Sequence, residues 1–429
     1  MLSNITLSFS HRFITKIVVL VATLPTSLLL RFCWCCSHCF EILELALCLL
    51  KLIKLHQATY TYRRHRTRGI PRRMQSRENG FLLHLPLETK RNPGNPYTPL
   101  SNSLLNLTDF QYLLASNVCR KAKRELLAVL IVTSYAGHDA LRSAHRQAIP
   151  QSKLEEMGLR RVFLLAALPS RELFISQDQL ASEQKRFGDL LQGNFIEDYR
   201  NLSYKHVMGL KWVSEECKKQ AKFIIKLDDD IIYDVFHLRR YLETLEVRQP
   251  GLATSSTLLS GYVLDAKPPI RLRANKWYVS KKEYPHALYP AYLSGWLYVT
   301  NVPTAERIVA EAERMPFFWI DDTWLTGVVR TRLGIPLERH NDWFSANAEF
   351  IDCCVRDLKK HNYECEYSMG PNGGDDRLLV EFLHNVEKCY FDECVKRPVG
   401  KSLKETCLAA AKSRPPKHGF AEIKALRLR

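Results

Sequence analysis

Three continuous apolar runs, separated by segments of helical spacing, constrain the fold of this chain more than any other feature. The runs are residues 126–134, 160–168 and 223–227. Runs of this length without polar alternation are typical of strands that are buried on both faces. We predict helices at 136–149 and 199–220, and a helix or turn at 180–191. Alternating strands and helices predict an α/β domain with a parallel sheet and right-handed crossovers.

The third run leads directly into Asp228, Asp229 and Asp230. Open α/β sheets bind ligands at the carboxyl ends of their strands, where these aspartates are predicted to lie. Adjacent carboxylates repel one another, and a hard divalent cation such as Mg²⁺ or Mn²⁺ would offset that repulsion. The alternative is a solvated surface turn, since Asp favours turns. The apolar residues on both sides favour the metal site.

A second acidic pair, Asp321 and Asp322, lies within an aromatic stretch. The surrounding aromatic residues are Phe317, Phe318, Trp319 and Trp324. A carboxylate in apolar surroundings has a raised pKa and makes a competent general base. The alternative is an N-cap, with either aspartate starting a helix over 323–333. The two roles are compatible.

Residues 271–301, between the two acidic groups, are rich in aromatic side chains. These are Trp277, Tyr278, Tyr284, Tyr289, Tyr292, Trp296 and Tyr298. Such residues either belong to the core or stack on the apolar faces of sugar rings, and the interrupting Lys, Glu and Pro residues favour an exposed position. Gly295 would allow the backbone to approach a ligand closely.

The N-terminal region predicts a membrane anchor. We expect a cytoplasmic tail at 1–13, an uncleaved transmembrane signal anchor at 14–36 and a stem or linker at 37–118. A folded domain is then expected at 119–397 and a basic tail at 398–429. The arginine-rich residues 63–73 follow the anchor, so the positive-inside rule alone would place the bulk of the chain in the cytosol.

The cysteines point to the opposite side of the membrane. Apart from the five cysteines in and near the anchor, Cys33, Cys35, Cys36, Cys39 and Cys48, the chain has eight: Cys119, Cys217, Cys353, Cys354, Cys365, Cys389, Cys394 and Cys407. An even number without a CxxC pair favours disulfides in an oxidising compartment over a zinc site. The sequons at Asn106 and Asn201 are candidate glycosylation sites. The net charge of +17 suggests anionic partners, and a cytosolic metal-dependent nuclease is one alternative that it leaves open.

Five spaced blocks, taken together and in order, resemble the family of β1,3-galactosyltransferases and β1,3-N-acetylglucosaminyltransferases. The blocks are residues 188–213, 226–230, 276–295, 320–327 and 378–395. The resemblance covers about two thirds of the chain, from Leu126 to Val395. The block that ends at Gly295 departs from the family pattern, because Trp296 stands where a small residue is usual. Thr323 likewise replaces the usual Val.

The resemblance implies a GT-A glycosyltransferase fold, with a Rossmann-like, mixed and mainly parallel sheet behind an N-terminal transmembrane helix and stem. It also implies single-pass type II topology in the Golgi membrane, a UDP-sugar donor and Mn²⁺. The implied partners are a glycan acceptor on protein or lipid and a second copy of the chain, with no nucleic acid. We expect the chain to transfer galactose with inversion at the anomeric carbon. The alternatives are transfer of N-acetylglucosamine or N-acetylgalactosamine, or a non-catalytic glycan-binding role.

Residue roles follow from the same resemblance. Asp322 matches the catalytic base, and Asp230 and His384 match metal ligands. The residues expected beside the donor are Asp228, Asp229, Arg142 and Arg146. The residues expected beside the acceptor are Trp277, Glu283, Tyr284, Gly295 and Asp321.

Overall fold

The computed structural model describes residues 103–407 except 123, 250, 253–256 and 392. Contacts divide the chain into two units, Met1–Pro93 and Gly94–Arg429, and the first unit lies outside the described residues. The predicted cytoplasmic tail and signal anchor therefore lie outside them as well. Within the described part of the chain, no helix is both long and apolar enough to cross a bilayer.

Ten strands form two sheets in the described region. In chain order they are β1 (Tyr112–Leu114), β2 (Leu126–Thr133), β3 (Leu159–Ala167), β4 (Leu190–Ile196), β5 (Ala221–Asp228), β6 (Ile231–Tyr233), β7 (Leu259–Leu264), β8 (Tyr292–Asn301), β9 (Glu338–Arg339) and β10 (Met369–Pro371). The main sheet has the order β1-β4-β3-β2-β5-β8-β7-β9, and β6 pairs with β10. Strands β4, β3, β2 and β5 are parallel, whereas β8 is antiparallel to both of its neighbours. The predicted α/β class with a mixed, mostly parallel sheet is confirmed.

The helices cover both faces of the sheet. They are α1 (Asp139–Ala148), α2 (Gln151–Glu156), α3 (Gln177–Phe187), α4 (Leu202–Glu216), α5 (Val235–Arg248), α6 (Val302–Ala312), α7 (Arg330–Arg332), α8 (Ala348–His361), α9 (Asp376–Tyr390) and α10 (Leu403–Thr406). A π-helical turn spans Thr323–Val329, and 3₁₀ turns span Tyr199–Asn201 and Asn341–Trp343. Side-chain caps start several helices; Asp234, for example, accepts from the backbone N–H groups of Phe236 and His237.

Alternate residues of the central strands enter two separate cores. Leu130 packs under α5, α8 and α9, whereas Ile131 packs under α4, α6 and the π-helical turn. This is the pattern expected for a strand that is buried on both faces. The parallel register pairs Thr133 with Asp228, so both residues lie at the carboxyl edge of the sheet. The antiparallel β8 begins at that same edge.

The three strands predicted from apolar runs are confirmed as β2, β3 and β5. Strand β4 was missed, because residues 190–191 were read as the end of a helix or turn. The helix predicted at 199–220 is confirmed over the shorter span of α4. Folded residues extend beyond both predicted domain boundaries, since β1 pairs with β4 and Leu403 is fully buried.

All eight cysteines among the described residues form disulfides. The pairs are Cys119–Cys217, Cys353–Cys407, Cys354–Cys365 and Cys389–Cys394. The disulfide prediction is therefore confirmed. The first pair ties the segment before β2 to the end of α4, and two of the others anchor α8 to the chain that follows it.

Candidate active site

Asp228 ends β5 and is paired with a buried lysine of the same strand. Lys226 Nζ lies 2.7 Å from Asp228 Oδ1 and donates to the carbonyl oxygen of Gly295 at 2.6 Å. The Lys226 side chain is 1% exposed and that of Asp228 is 33% exposed. Asp228 therefore neutralises a buried ammonium while remaining accessible at the sheet edge. Although burial opposes the lysine charge, the carboxylates of Asp228 and Asp321 raise the pKa of Lys226.

Asp229 points into the protein. Its Oδ2 lies 2.9 Å from His138 Nδ1, and its backbone carbonyl lies 2.9 Å from His145 Nε2. Its backbone N–H donates to the carbonyl of Thr133 at 3.1 Å. The three contacts join the end of β5 to the end of β2 and to α1. Asp229 thus organises the strand-end loop, and its predicted contact with the donor stays a prediction.

The Asp230 carboxylate is left available for a ligand. No other side chain in the described part of the chain donates a hydrogen bond to it, and its backbone carbonyl accepts from the N–H of Asn372. Burial, with the neighbouring Asp229 charge, raises the pKa of Asp230 to about 6, and burial raises the pKa of Asp228 to about 7. Raised carboxyl pKa values indicate a site that a bound cation would stabilise.

The donor set at Asp230 suits a hard divalent ion, but it is not a complete metal site. No three His, Cys, Asp or Glu side chains among the described residues are grouped closely enough to hold a metal. Asp230 therefore fits as a single carboxylate ligand of Mn²⁺ or Mg²⁺, and binding of either ion stays a prediction. His384 lies exposed on α9, and its role as a ligand stays a prediction.

Asp322 lies immediately before the π-helical turn and against the start of β8. Its Oδ1 accepts from the backbone N–H of Thr323 at 2.6 Å, and its Oδ2 accepts from that of Gly295 at 3.1 Å. A Cβ at position 295 would lie 3.4 Å from the same Oδ2, which is an ordinary van der Waals contact, so this approach does not by itself require glycine. Asp322 thus caps the turn that follows it, as the sequence allowed.

Gly295 connects the two acidic groups. Its carbonyl accepts from Lys226, which holds Asp228, and its N–H donates to Asp322. The sheet pairs β5 with β8 and so brings these groups together, although Asp228 and Asp322 are far apart in the sequence. The structure therefore groups the predicted metal-side and base-side carboxylates at one edge.

Asp321 and Asp322 have opposite electrostatic environments. Burial, with the adjacent Asp321 charge, raises the pKa of Asp322 to about 6. Burial also opposes ionisation of Asp321, but a hydrogen bond from His206 and the Lys226 charge lower its pKa to about 2. The carboxylate with the higher pKa is the better proton acceptor. Asp322 is therefore the candidate base, and Asp321 supplies a fixed negative charge.

His206, which the sequence reasoning missed, holds Asp321 in place. Its Nδ1 lies 2.9 Å from Asp321 Oδ2, and its Nε2 lies 2.6 Å from the hydroxyl of Tyr298. Both His206 and Tyr298 are fully buried, and burial lowers the pKa of His206. We assign a neutral ring in which Nδ1–H donates to Asp321 and Nε2 accepts from Tyr298, since this tautomer satisfies both bonds.

The predicted acceptor residue Trp277 is hydrogen-bonded to Tyr199, whose ring meets that of Trp319 edge-on. Trp277 Nε1 donates to the Tyr199 hydroxyl at 2.7 Å. Burial raises the pKa of Tyr199, and the charges of Asp321 and Asp322 raise it further, which indicates that the phenol lies within their field. Tyr199 was also missed by the sequence reasoning.

The other predicted acceptor residues are engaged in contacts within the protein. Glu283 accepts from the backbone N–H and the hydroxyl of Ser280 and forms an exposed ion pair with Arg200 at 3.2 Å. The Tyr284 hydroxyl donates to the carbonyl of Leu288 at 3.2 Å. These contacts shape the segment that borders the site. Direct contact with an acceptor stays a prediction for both residues.

A cavity of about 280 Å³ lies next to these residues. Its lining consists of Arg200, Asn201, Tyr204, Glu283, Phe317, Phe318 and Trp319. The Arg200 guanidinium lies 4.4 Å from the ring centroid of Trp319, and Tyr199 meets the same ring edge-on. An aromatic wall with a few polar groups is suited to a sugar ring.

Trp296, the departure from the family pattern, packs half-buried against the core under α5, α8 and α9. Its indole therefore fills space near the site edge rather than the cavity described above. The bulk of Trp296 predicts a changed donor or acceptor pocket.

Arg142 and Arg146 form buried internal ion pairs. Arg142 is fully buried and donates to both carboxyl oxygens of Glu183 and to the carbonyls of Tyr135 and Ala136. Arg146 donates to Glu183 and Asp189. Arg142 thus stabilises the loop after β2 through hydrogen bonds to its backbone carbonyls. Donor binding by either guanidinium stays a prediction, and these contacts do not favour it.

The two sequons differ in their surroundings. Asn106 is exposed, and its Oδ1 accepts from the Tyr204 hydroxyl at 2.7 Å. Asn201 lies at the start of α4, where its Nδ2 donates to the carbonyl of Ile196 at 2.8 Å. Ser203 of the second sequon is fully buried. Glycosylation at both positions stays a prediction, and Asn106 has the more accessible surroundings.

The chain has relatives among known glycosyltransferases. A family model described as galactosyltransferase matches residues 140–341, which include both acidic groups. Human β1,3-galactosyltransferase 5 is 32% identical over 270 residues, covering 62% of this chain and 80% of its own length. The β1,3-galactosyltransferase brn of Drosophila melanogaster is 28% identical over 272 residues, with 62% and 80% covered.

Two further similarities are more distant or less complete. Mouse N-acetyllactosaminide β1,3-N-acetylglucosaminyltransferase 2 is 29% identical over 248 residues, covering 57% of this chain and 60% of its own. The solved structure of mouse xyloside xylosyltransferase 1 aligns with a TM-score of 0.26 and 11% identity, over 59% of this chain and 99% of that one. That structural alignment is too weak to bear on function. The sequence relatives, together with the grouped carboxylates, show that this chain belongs to the galactosyltransferase family, glycosyltransferase family 31, and is a β1,3-glycosyltransferase.

Proposed function

We propose that the chain transfers galactose from UDP-galactose to the 3-hydroxyl of an acceptor sugar on a glycoprotein or glycolipid, with inversion at the anomeric carbon. Family membership implies a UDP-sugar donor and a glycan acceptor. The observation that carries the proposal is the position of Asp322, whose raised pKa and link to Asp228 through Gly295 suit a base beside a donor site. Galactose is favoured because brn and the human relative are named galactosyltransferases.

The donor would bind at the carboxyl edge of β5. Asp230 would hold Mn²⁺, which when bound supplies positive charge against the diphosphate of the donor. Asp228 is partly exposed and keeps Lys226 charged beneath this edge. The GT-A arrangement expected from the family resemblance is consistent with a nucleotide site where parallel strands end.

Asp322 would act as general base in a single displacement. The acceptor 3-hydroxyl gives its proton to Asp322 while its oxygen forms a bond to the anomeric carbon. The bond from that carbon to the phosphate oxygen breaks, and UDP leaves with the electron pair. Attack from the face opposite UDP inverts the configuration and gives a β1,3 linkage. The fixed charge of Asp321 raises the basicity of Asp322 and so favours this proton transfer.

We place the reaction in the lumen of the Golgi apparatus, with the chain anchored as a single-pass type II membrane protein. The four disulfides support an oxidising compartment. The predicted anchor at 14–36 would span that membrane, with residues 1–13 on its cytoplasmic side.

The test is UDP release by the full-length enzyme in detergent, with Mn²⁺, across a panel of UDP-sugars and β-linked acceptors. We expect release with UDP-galactose, loss of release in EDTA, and a fall in turnover of about 10² to 10⁴ for Asp322→Asn. UDP binding should survive that substitution, because Asp322 lies on the acceptor side. Asp178→Asn, at an exposed position of α3, is the matched control and should keep full turnover.

A second donor is favoured by one specific observation. The mouse N-acetylglucosaminyltransferase is nearly as similar over most of the same region. Release with UDP-N-acetylglucosamine or UDP-N-acetylgalactosamine instead of UDP-galactose would replace the donor and keep the mechanism. Mn²⁺-dependent UDP binding without release from any donor would favour a non-catalytic glycan-binding protein, and would count against Asp322 as a base.

A further inference from the structure

Residues 265–291 form a positively charged segment, the basic loop, which connects β7 to β8. It contains six cationic side chains and two carboxylates. The cations are Lys267, Arg271, Arg273, Lys276, Lys281 and Lys282. The carboxylates are Asp265 and Glu283. An excess of one sign in so short a segment indicates a surface for an anionic partner.

The two carboxylates of the basic loop are neutralised from outside it. Asp265 pairs with Arg339 at 2.6 Å, and Glu283 pairs with Arg200 at 3.2 Å. Arg271 points inward, donating to the carbonyls of Val279 and Tyr284. The other five cations are exposed, and none forms an ion pair with a residue that the structure describes. Their charge is therefore available to a ligand.

The exposed cations lie beside the candidate acceptor site. Lys276 Nζ lies 4.0 Å from the ring centroid of Tyr199, and the Tyr199 ring meets Trp319 of the aromatic cavity edge-on. Lys281 and Lys282 directly precede Glu283, which lines the aromatic cavity. The basic loop therefore borders the aromatic cavity, whose lining residue Trp319 lies three residues before Asp322 in the chain.

We infer that the natural acceptor is an acidic glycan, in which a carboxylate or sulfate on a sugar near the reacting one binds the basic loop. This inference rests on the proposed function. The reacting sugar itself is uncharged, because it lies against the negative charges of Asp321 and Asp322. The aromatic cavity and the Lys276–Tyr199 contact place sugar-binding and anion-binding groups side by side. An anionic membrane is less consistent with this position, since a bilayer on Lys276 would cover the aromatic cavity.

The test compares matched acceptors that differ in one charge. Each is a disaccharide on the same aglycone, with a terminal β-linked sugar preceded by either glucose or glucuronic acid. We expect kcat/KM for the acidic acceptor to exceed that for the neutral one about tenfold at low salt. The ratio should fall as ionic strength rises to about 0.15 M, where screening shortens the Debye length to about 8 Å.

Variants and binding make the test decisive. The double variant Lys281→Gln with Lys282→Gln should reduce the acidic-to-neutral ratio several-fold. The control, Lys360→Gln with Lys388→Gln, removes two exposed cations from α8 and α9 on the opposite face of the sheet and should leave the ratio unchanged. Calorimetric Kd values for both disaccharides, measured on the full-length protein with UDP and Mn²⁺, should show the same preference.

Each contrary outcome has a distinct meaning. Equal kcat/KM and equal Kd for the two disaccharides would overturn the inference. So would binding to phosphatidylserine vesicles that is lost in the Lys281 and Lys282 variant without any preference for the acidic disaccharide, because the loop would then bind membrane. If no disaccharide reacts, the ratio of Kd values still decides the inference, and only the proposed catalysis is contradicted.

Discussion

Asp321 and Asp322 occupy adjacent positions but have different chemical roles because their partners differ. Asp321 accepts from His206, a fully buried ring, whereas Asp322 accepts only from backbone N–H groups and a neighbouring hydroxyl. Ionisation of the first therefore makes ionisation of the second more costly. Enzymes commonly separate acid and base roles in this way, by giving two neighbouring carboxyl groups different pKa values.

This division predicts a pH profile. Because Asp322 must be ionised to accept a proton, kcat/KM should fall as pH drops through about 6, its raised pKa. Asp321→Asn removes the charge that raises this pKa, so the acidic limb should move to lower pH. The measurement is kcat/KM against pH for both proteins, at saturating Mn²⁺.

The charge of Asp321 also contributes to the raised pKa of Asp228. The residue whose titration causes the acidic fall in kcat/KM must therefore be identified separately. The residual activity of Asp322→Asn should lack the limb, because the group that titrates is gone. An unshifted limb in Asp321→Asn, or a limb that persists in Asp322→Asn, would show that another group controls the profile.

We expect that replacing Lys226 would lower both the free energy of unfolding and kcat. Lys226→Met should leave Asp228 without its cation and release the carbonyl of Gly295. Loss of one partner from a buried pair costs roughly 3–5 kcal/mol, and we expect the lower end because Asp228 is partly exposed. Urea unfolding gives the free energy of unfolding, and UDP release gives kcat, which should also fall.

The control is Lys211→Met, because Lys211 has a well-covered side chain but pairs with two partly exposed carboxylates, Glu215 at 3.6 Å and Glu313 at 3.1 Å. Its cost should stay below about 1 kcal/mol, with normal kcat. Equal costs for the two variants would mean that the Lys226 pair contributes nothing beyond an ordinary surface ion pair.

The sequence identified the carboxylates but not the residues that tune them. A row of aspartates after an apolar strand is a local signal, and so is an acidic pair among aromatics. Lys226 carried a weaker local signal, a cation inside a buried strand. His206 carried none, because its partners Asp321 and Tyr298 lie about a hundred residues away and meet it only in the fold.

At the scale of elements, most of the central parallel strands were predictable from the sequence, whereas the edge strands of the sheet were not. β2, β3 and β5 are long, mainly apolar runs, whereas β1 and β9 have only three and two residues, too few to give a periodic signal. β4 begins two residues after Gly188, the left-handed cap of α3, so its first residues resembled a continuing helix. The π-helical turn after Asp322 had no signal that distinguishes it from an α-helix.

The disulfides should stabilise the fold by amounts that depend on the length of chain that each one encloses. Cys119–Cys217 joins positions 98 residues apart, and Cys389–Cys394 joins positions 5 apart. A longer closed loop restricts the unfolded chain more. Replacing both cysteines of the first pair by serine should cost about 2–4 kcal/mol.

The same replacement in the second pair should cost less, which makes it the internal comparison. Urea unfolding of the two double-serine variants, each measured against the parent, gives the order. A larger loss for the short loop would show that native contacts, rather than chain entropy, dominate the stabilisation.

At the scale of the whole molecule, two sequence signals disagree about which side of the membrane the domain occupies. The arginines at 63–73 favour the cytosol by the charge rule, whereas paired cysteines favour an oxidising compartment. Structural disulfides are rare in a reducing cytosol, and arginine-rich segments contribute little to orientation when they lie far from the span. The disulfides therefore outweigh the charge.

A luminal domain predicts N-glycosylation of Asn106. This side chain is exposed, its Oδ1 is held by Tyr204, and its Nδ2 has no hydrogen-bond partner among the described residues. The chain expressed in cells should lose mass on treatment with an N-glycosidase. Thr108→Ala destroys the sequon without touching the Asn106–Tyr204 contact and should remove one step of that loss, whereas Thr108→Ser keeps the sequon and should retain it. A chain whose mass the glycosidase leaves unchanged would favour a cytosolic domain, and the disulfides and the Golgi assignment would then both need another explanation.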